Sequence, residues 1–294
     1  MLSLLIPTVA QGLLWALMAL GVYVTFRVLD IADLTVEGSF PLGAATAASM
    51  MVAGFGPLTA LLAAFVAGML AGVVTGLLHT KMKIPALLAG ILTMIALYSV
   101  NLRIMGKANL SLLGVDTTFK IAKSALDLSM AQTTRVVGLA VTLIVGFFIY
   151  WFFGTQIGAA IRATGFNQQM IRAQGVDTDI TIILGLLLSN GLVAVSGALV
   201  AQSNGFSDVG MGTGTIVIGL ASVIIGEVLF GTRSFKNCLI SVVLGSIVYR
   251  IVIAAVLAMG MPPNDLKLFT SVLVALALSM PLIKAKMGGR KAVR

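Results

Sequence analysis

Two glutamates beside apolar runs are the residues of this sequence whose chemistry stands out. Glu227 closes one apolar run, and Glu37 opens another near Asp33. An ionisable group in so apolar a stretch is costly and is often retained for function, so either glutamate could serve a proton or cation relay. The plainer interpretation is a carboxylate at the edge of such a run, paired with a basic residue such as Arg27 or Arg233. We favour the plainer interpretation for both.

Signatures of enzymatic and metal chemistry are missing from the sequence. It has no H-E-x-x-H or G-x-S-x-G motif, and its single histidine, His79, is far from its single cysteine, Cys238. Gly106 and Lys107 lack the remaining residues of a P-loop, G-x-x-x-x-G-K-[ST]. We therefore expect no catalytic residues, no metal site and no cofactor. Any ATP hydrolysis must take place on another polypeptide.

The composition places the chain in a membrane. Hydrophobic residues make up 59% of the 294 residues and charged ones only 10%, and the mean hydropathy is +1.09. A soluble domain carries about 25% charged residues. The net charge of +9 does not indicate nucleic-acid binding, because the basic residues lie mostly in short connections between apolar runs. We expect one transmembrane domain, 1–294, with the lipid bilayer as its surroundings.

The apolar runs predict an all-α polytopic membrane protein with about nine transmembrane helices, within a range of eight to ten. One span takes roughly 20 apolar residues. The predicted spans are 5–26, 34–52, 57–78, 84–102, 136–153, 180–202, 215–230, 238–259 and 266–283. A longer polar connection, 103–135, has room for short amphipathic or re-entrant segments.

Basic residues predict the orientation, since cytoplasmic loops carry an excess of Lys and Arg. If the loop after the third span is cytoplasmic, alternation places most short-loop basic residues on that side. These residues are Arg27, Lys81, Lys83, Arg162, Arg172, Arg233, Lys236, Lys284, Lys286, Arg290, Lys291 and Arg294. The N-terminus is then outside and the C-terminus cytoplasmic, in a bacterial-type inner membrane.

The second and seventh spans both begin with glycine-interrupted segments, 34–43 and 210–219. In the predicted topology, the pair of spans one and two runs opposite to the pair of spans six and seven. Broken segments at corresponding places of two inverted halves are typical of a transport pathway. The alternative is that glycine, with 32 copies, is simply frequent in spanning helices. The candidate path residues are Gly38, Ser39, Phe40, Thr93, Asn101, Asn190, Gly212 and Gly214.

Residues 157–176, IGAAIRATGFNQQMIRAQGV, form an amphipathic basic segment between two apolar runs. Its apolar residues recur at near-helical spacing, which predicts a short helix outside the bilayer over about 155–177. Because both ends are tied to spanning helices, a soluble partner could push on it. The alternative is an idle amphipathic linker lying on anionic lipid.

Together these features resemble the permease subunits of the ABC importer family that includes the branched-chain amino acid and ribose permeases. The similarity covers nearly the whole chain. Residues 12–21 (GLLWALMALG) are similar to the opening span, and 33–40 (DLTVEGSF) to the start of the second helix. An R-A-x-G sequence at 162–165 recurs at 172–175, followed by 189–199 (SNGLVAVSGAL), and this arrangement is similar to the family's cytoplasmic loop and the helix after it.

Two places bear on the solute. Residues 101–113 (NLRIMGKANLSLL) look most like the subgroup tied to amino acids, aromatic ones among them. Glu37 stands where a smaller residue is commoner in the sugar permeases. In such importers the binding protein supplies most of the selectivity, so the permease residues constrain the solute poorly.

The resemblance implies that the 157–176 segment docks into a groove of a cytoplasmic ABC ATPase subunit. It also implies two ATPases, an extracytoplasmic solute-binding protein and a second permease copy, which we expect to form a homodimer. ATP-driven closure of the ATPases would draw the paired segments together and tilt the bundle by alternating access. The expected coupling residues are Gly158, Ile161, Arg162, Ala163, Gly165, Phe166, Met170, Arg172 and Gly175.

Within that contact the residue types suggest different tasks. We expect Ile161, Phe166 and Met170 to fill the apolar part of the groove. Arg162 and Arg172 would bond to its rim. Gly158, Gly165 and Gly175 would allow bends and close approach of the backbone.

Two other classes of protein are kept as alternatives. An ion-gradient-driven secondary carrier with inverted repeats would require Glu227 or Glu37 and would have no ATPase partner. A membrane scaffold or assembly factor would transport no solute under any driving force.

Overall fold

The computed structural model describes residues 2–127 and 129–260, together with 262, 265, 268–272, 274–276 and 279. Helices dominate it. They are α1 (Leu2–Tyr23), α2 (Val36–Val52), α3 (Pro57–Thr80), α4 (Ala86–Met105), α5 (Thr118–Leu126), α6 (Met130–Gly154), α7 (Gln156–Phe166), α8 (Gln168–Ala173), α9 (Thr178–Asn204), α10 (Thr215–Phe230) and α11 (Phe235–Ala258). A π-helical turn, Val24–Val28, follows α1, and a 3₁₀ turn, Val209–Gly212, precedes α10.

Within the described residues, seven helical segments are long and apolar enough to cross a bilayer. They correspond to predicted spans one and three to eight. The second predicted span is α2, whose 17 residues are shorter than a full crossing. Of the ninth predicted span, 266–283, residues 268–272, 274–276 and 279 are described and are helical, and the basic tail after it lies outside the described residues. The count of nine therefore stays a prediction.

α1 and α9 form the centre of the bundle. In the apolar 18-residue stretch of each, 78% of the residues are buried, against 22% in α6. The two helices run antiparallel, because Ser196 Oγ donates to Leu14 O and Ser189 Oγ to Gly21 O, each at 2.7 Å. Bonds of this kind satisfy serine hydroxyls where water is absent and join neighbouring helices.

Small residues let α3 pack closely on α9. A Cβ atom added at Gly68 would lie 2.4 Å from Asn190 O, and one at Gly72 would lie 2.3 Å from Leu186 O. Neither position has room for a side chain. Gly68 and Gly72, four residues apart, thus form a face of α3 on which the backbone of α9 packs directly.

α2 runs along α9 in the same direction. Ser39 contacts Asn190, and one turn further a Cβ atom at Gly43 would lie 1.9 Å from Ala194 O. α2 starts after an irregular, mostly buried segment, residues 29–35, has already entered the bundle, which is why a helix of only 17 residues suffices.

α10 runs along α1 in the corresponding way. Gly219 packs against Val22, and further along both helices Glu227 bonds with Arg27. Thus α2 lies beside and parallel to α9, and α10 lies beside and parallel to α1.

The polar connection 103–135 contains α5 and β1 (Asn109–Ser111). β1 pairs antiparallel with β2 (Phe206–Asp208), with Leu110 opposite Ser207. This strand pair departs from the all-α prediction, and strands of three residues are too short to leave a periodic signal in the sequence.

Candidate functional site

The segment predicted as one helix forms two helices, α7 and α8, called here the elbow (residues 156–173). Asn167 separates them with an extended backbone, at φ −159°, and its Oδ1 accepts a bond from Met170 N at 3.0 Å. Thr155 caps the start of α7 by accepting from Gly158 N at 3.3 Å. Asn and Thr are preferred caps because their side chains satisfy free N–H groups of the first turn. The Asn167 cap fixes the bend between α7 and α8, and the Thr155 cap fixes the turn from α6 into α7.

The inner face of the elbow is pressed against the bundle. A Cβ atom at Gly165 would lie 1.9 Å from Val28 O, at the end of the turn that follows α1. Thr164 Oγ1 lies 2.8 Å from Thr181 Oγ1 in the first turn of α9. The elbow therefore contacts the ends of both central helices directly.

The other two glycines of the elbow region have different tasks. A Cβ atom at Gly158 would lie 2.3 Å from Phe152 O, so this glycine allows α7 to fold back on α6. Gly175 has a φ of +84°, the left-handed conformation that suits glycine, and turns the chain into α9.

The outward face of the elbow is apolar and open. Phe166 is 90% exposed, and Ile157 and Met170 are about half exposed. Ile161, by contrast, is fully buried in the core cluster of α1, α6 and α9. The expectation that Ile161 enters a partner's groove is therefore wrong, because its side chain has no surface to offer. Helical spacing placed it on the apolar stripe but could not tell which part of the stripe faces inward.

The two arginines of the elbow already have partners within the chain. Arg162 lies over the Phe235 ring, 5.3 Å from its centroid, at the start of α11. Arg172 donates to Thr178 Oγ1 and to Asp179 Oδ1, the latter at 3.2 Å. Both residues are exposed, so these contacts leave part of each guanidinium group open to a partner.

Ala163 contributes backbone rather than side chain. Its carbonyl oxygen accepts the bond from Asn167 N, at 3.0 Å, that closes α7.

A second region, called here the central break, comprises residues 33–41 and 209–216. It lies where the segments that lead into α2 and α10 meet, and it includes the first residues of both helices. Glu37 Oε1 accepts from Gly214 N at 3.0 Å. A Cβ atom at Gly212 would lie 2.0 Å from Glu37 O, so the two segments touch backbone to backbone. Gly214, at φ +83°, turns the chain into α10.

A cavity of about 480 Å³ opens at the central break. Glu37, Gly38, Tyr98, Asn101 and Thr213 are among the residues that line it. Asn101 Nδ2 donates to Gly38 O at 3.3 Å. A second cavity, of about 360 Å³, is lined by Gly214 and Arg250 and also includes Thr213. The candidate path residues Gly38, Asn101 and Gly214 therefore line cavities.

The other candidate path residues lie behind these walls. Asn190 is fully buried in α9, where its Oδ1 accepts from Ser39 Oγ at 2.6 Å and its Nδ2 donates to Asp33 Oδ2 at 2.8 Å. Phe40 is buried against the Trp15 ring, with 5.0 Å between the centroids.

A chain of hydroxyl groups joins α3 and α4 to the segment before α2. Thr93 and Thr75 Oγ1 atoms are 2.9 Å apart, and Thr75 and Thr35 Oγ1 atoms are 2.7 Å apart. These buried groups hold the central break in place by bonding to one another, as polar groups among apolar helices must.

Two charged residues of this region were not among the candidates from the sequence. Asp33 is buried at the hub of the Asn190 network, although the sequence had placed it only beside Glu37. Arg250 interrupts the apolar run of α11, and its guanidinium lies over the Trp15 ring at 4.0 Å. Its position deep in an apolar run was the available signal.

The pairing with a basic residue that was favoured for Glu227 is confirmed by its bidentate contact with Arg27. Glu37 differs, because its described bonds are to the backbone of α10 and not to an arginine. Neither carboxylate stands unbonded, as a free relay group would.

Comparisons with known proteins agree on one family. Residues 4–279 match the family model described as the permease component of branched-chain amino acid transport systems. The chain is 41% identical over 273 residues to a tyrosine transport system permease protein of Clostridioides difficile, covering 93% of this chain and 90% of that protein. It is 31% identical to a galactofuranose transporter permease protein of Escherichia coli, covering 90% and 75%.

A solved structure has the same fold. An ABC transporter described as of metal-chelate type, in an inward-facing conformation, superposes with a TM-score of 0.52 at 15% identity, covering 96% of this chain and 85% of that chain.

Proposed function

This chain belongs to the family of permease components of branched-chain amino acid transport systems, and we propose that it is the membrane subunit through which an ATP-driven importer takes up an amino acid. It is an ABC transporter permease of the branched-chain amino acid and ribose type, and a multi-pass protein of the bacterial plasma membrane. The source of energy, the solute and the assembly are parts of the proposal.

The observation that carries the proposal is the elbow. It presents a 90% exposed phenylalanine at the end of a helix that packs so closely on the bundle that Gly165 has no room for a side chain. An exposed aromatic side chain on a firmly seated helix is typical of an anchor that fills a partner's pocket. We propose that Phe166, with Ile157 and Met170 beside it, enters a groove of a cytoplasmic ABC ATPase subunit.

The contacts behind Phe166 provide the coupling. Gly165 abuts Val28 after α1, and Thr164 bonds with Thr181 in α9, so a pull on the elbow shifts the ends of the two helices at the centre of the bundle. A partner can drive such a shift only if it binds the two arrangements with different free energies. Closure of a pair of ATPases on ATP would supply that difference.

The test is retention of the ATPase by tagged permease. Phe166→Glu places a charge in the proposed contact and should abolish co-purification of the ATPase in detergent. Leu113→Glu is the matched control, because Leu113 is 86% exposed in the turn after β1, at the opposite end of the bundle. Equal retention by both variants would overturn the docking role.

We propose an amino acid as the solute, with aromatic ones included, delivered by an extracytoplasmic binding protein. The relative named as a tyrosine transport permease supports this proposal, and the galactofuranose relative, at lower identity, is its main competitor. Proteoliposomes that contain the permease, its ATPase and its binding protein should take up labelled L-tyrosine when ATP is supplied. Uptake of a pentose or hexose without tyrosine uptake would reject the proposed solute.

We also propose nine spans in two inverted halves, an outside N-terminus, a cytoplasmic C-terminus and a homodimer. The opposed directions of α1 and α9, and of α2 and α10, support the inverted halves. The basic residues around the elbow support its place on the cytoplasmic side. Cross-linking of differently tagged copies would test the homodimer.

A further inference from the structure

Arg250 is a charged side chain placed deep within α11. Its Nε is buried and has no hydrogen-bond partner among the described residues. The guanidinium lies over Trp15 and lines the cavity of about 360 Å³ beside Gly214. A guanidinium cannot lose its charge in a protein, and it has the fork of N–H donors that matches a carboxylate. An anionic group that enters the cavity could therefore bond to this guanidinium.

Glu37 lies on the other side of the same bend. It lines the cavity of about 480 Å³, while its Oε1 is bonded to Gly214 N. Thr213 forms part of the wall of both cavities, and Gly214, whose N–H bonds to Glu37, forms part of the wall of the Arg250 cavity. Among the ion pairs of the described residues, none involves Glu37 or Arg250. One cavity thus offers a negative charge and its neighbour a positive one.

We propose that these adjoining cavities form a site for a zwitterion, in which Arg250 binds the carboxylate of a free amino acid and Glu37 binds its ammonium group. The inference rests on the proposed function and assigns residues to its solute class. Opposite charges at one bend suit a ligand that carries both signs a few bonds apart. A sugar would give neither charge a counterpart, and the loss of water from both would then oppose its binding.

The remaining walls suit an apolar or aromatic side chain. Val217, Ile218 and Ile253 line the Arg250 cavity, and Met94, Ile95 and Tyr98 line the Glu37 cavity. Few charged groups and many apolar ones are the usual composition of a small-molecule site, where the polar groups set the orientation of the ligand.

Trp15 provides a direct reporter, because the guanidinium of Arg250 lies 4.0 Å from its ring. The chain has two tryptophans, and the other, Trp151, is exposed. In a Trp151→Phe background, the full-length permease in nanodiscs should change its Trp15 emission on addition of L-phenylalanine. The two charges are then probed separately with 3-phenylpropionate, which lacks the ammonium group, and with phenethylamine, which lacks the carboxylate.

Arg250→Gln should weaken the responses to phenylalanine and phenylpropionate by about tenfold or more and leave that to phenethylamine. Glu37→Gln should weaken the response to phenethylamine and leave that to phenylpropionate. Arg135→Gln is the matched control, since Arg135 also has a buried Nε without a partner among the described residues but lines a different cavity with Leu139.

The proposal is overturned if no ligand changes the Trp15 emission, or if the responses survive both substitutions. Either result can coexist with normal retention of the ATPase, so it would leave the importer assignment intact. Normal ATPase retention by Phe166→Glu with normal ligand responses would, conversely, overturn the docking role and leave the zwitterion site standing.

Discussion

The elbow and the central break are both irregular interruptions of apolar helices, yet they are held in opposite ways. The elbow is fixed by caps and close backbone contacts on one side and leaves Phe166 open on the other. The central break is enclosed, and its polar groups bond to each other across four helices. The elbow thus keeps an exposed aromatic side chain, whereas the central break bonds many of its polar groups to one another, as polar groups among apolar helices do.

The largest loss of stability should come from a substitution in the central break. Asn190→Leu removes the partner of Asp33 Oδ2 and of Ser39 Oγ, and both groups stay buried. Leaving a buried carboxylate without its donor costs about 3 kcal/mol. We expect a clear fall in the thermal unfolding temperature in detergent. Asn237→Leu, at an exposed position of α11, should change it little, and similar shifts for the two variants would refute the bracing role.

A smaller effect should come from the inner face of the elbow. Gly165→Ala places a methyl group where only 1.9 Å separates it from Val28 O, and such overpacking costs about 1–3 kcal/mol. The elbow should detach, so ATPase retention should fall more than thermal stability does. Gly146→Ala is the control, because no atom lies within 4 Å of the added Cβ. A Gly165→Ala permease that retains its ATPase normally would show that the seating of the elbow is irrelevant to the partner.

The smallest loss of stability should come from breaking the ion pair of Arg27, in the π-helical turn that follows α1, with Glu227. The Arg27 side chain is half exposed, so Arg27→Gln should lower stability by about 1 kcal/mol or less. Glu227→Gln should leave ATP-driven uptake nearly unchanged. A complete loss of uptake in Glu227→Gln would instead favour the relay role that we set aside, and with it an ion-coupled carrier.

The two regions also differ in how far the sequence predicted them. The glycine-interrupted starts of α2 and α10 and the amphipathic segment between α6 and α9 were all found from local pattern, because glycine content and helical spacing are properties of neighbouring residues. The burial of Ile161, the break at Asn167 and the seat of Gly165 on Val28 were not found. Each depends on a contact with a residue distant in the chain or on a cap that competes with a continuous helix.

The contrast between local pattern and contacts with distant residues also explains what the sequence missed at the central break. The sequence identified Ser39, Asn101 and Asn190 as polar residues of spanning helices, but not which of them line a cavity. That division follows from the packing of α2 between α4 and α9, which no local pattern encodes. Arg250 was not among the candidate residues from the sequence, although the structure places it over Trp15 and against the bend before α10.

The most direct measurement places a photo-cross-linker on the elbow of the assembled importer. Since Cys238 is the only cysteine of the sequence, Cys238→Ser gives a background in which Phe166→Cys or Leu113→Cys can be labelled alone. We predict that the label at position 166 cross-links to the ATPase and that the label at position 113 does not. Cross-linking of the ATPase from position 113, with none from position 166, would contradict the docking role of the elbow and its cytoplasmic orientation together.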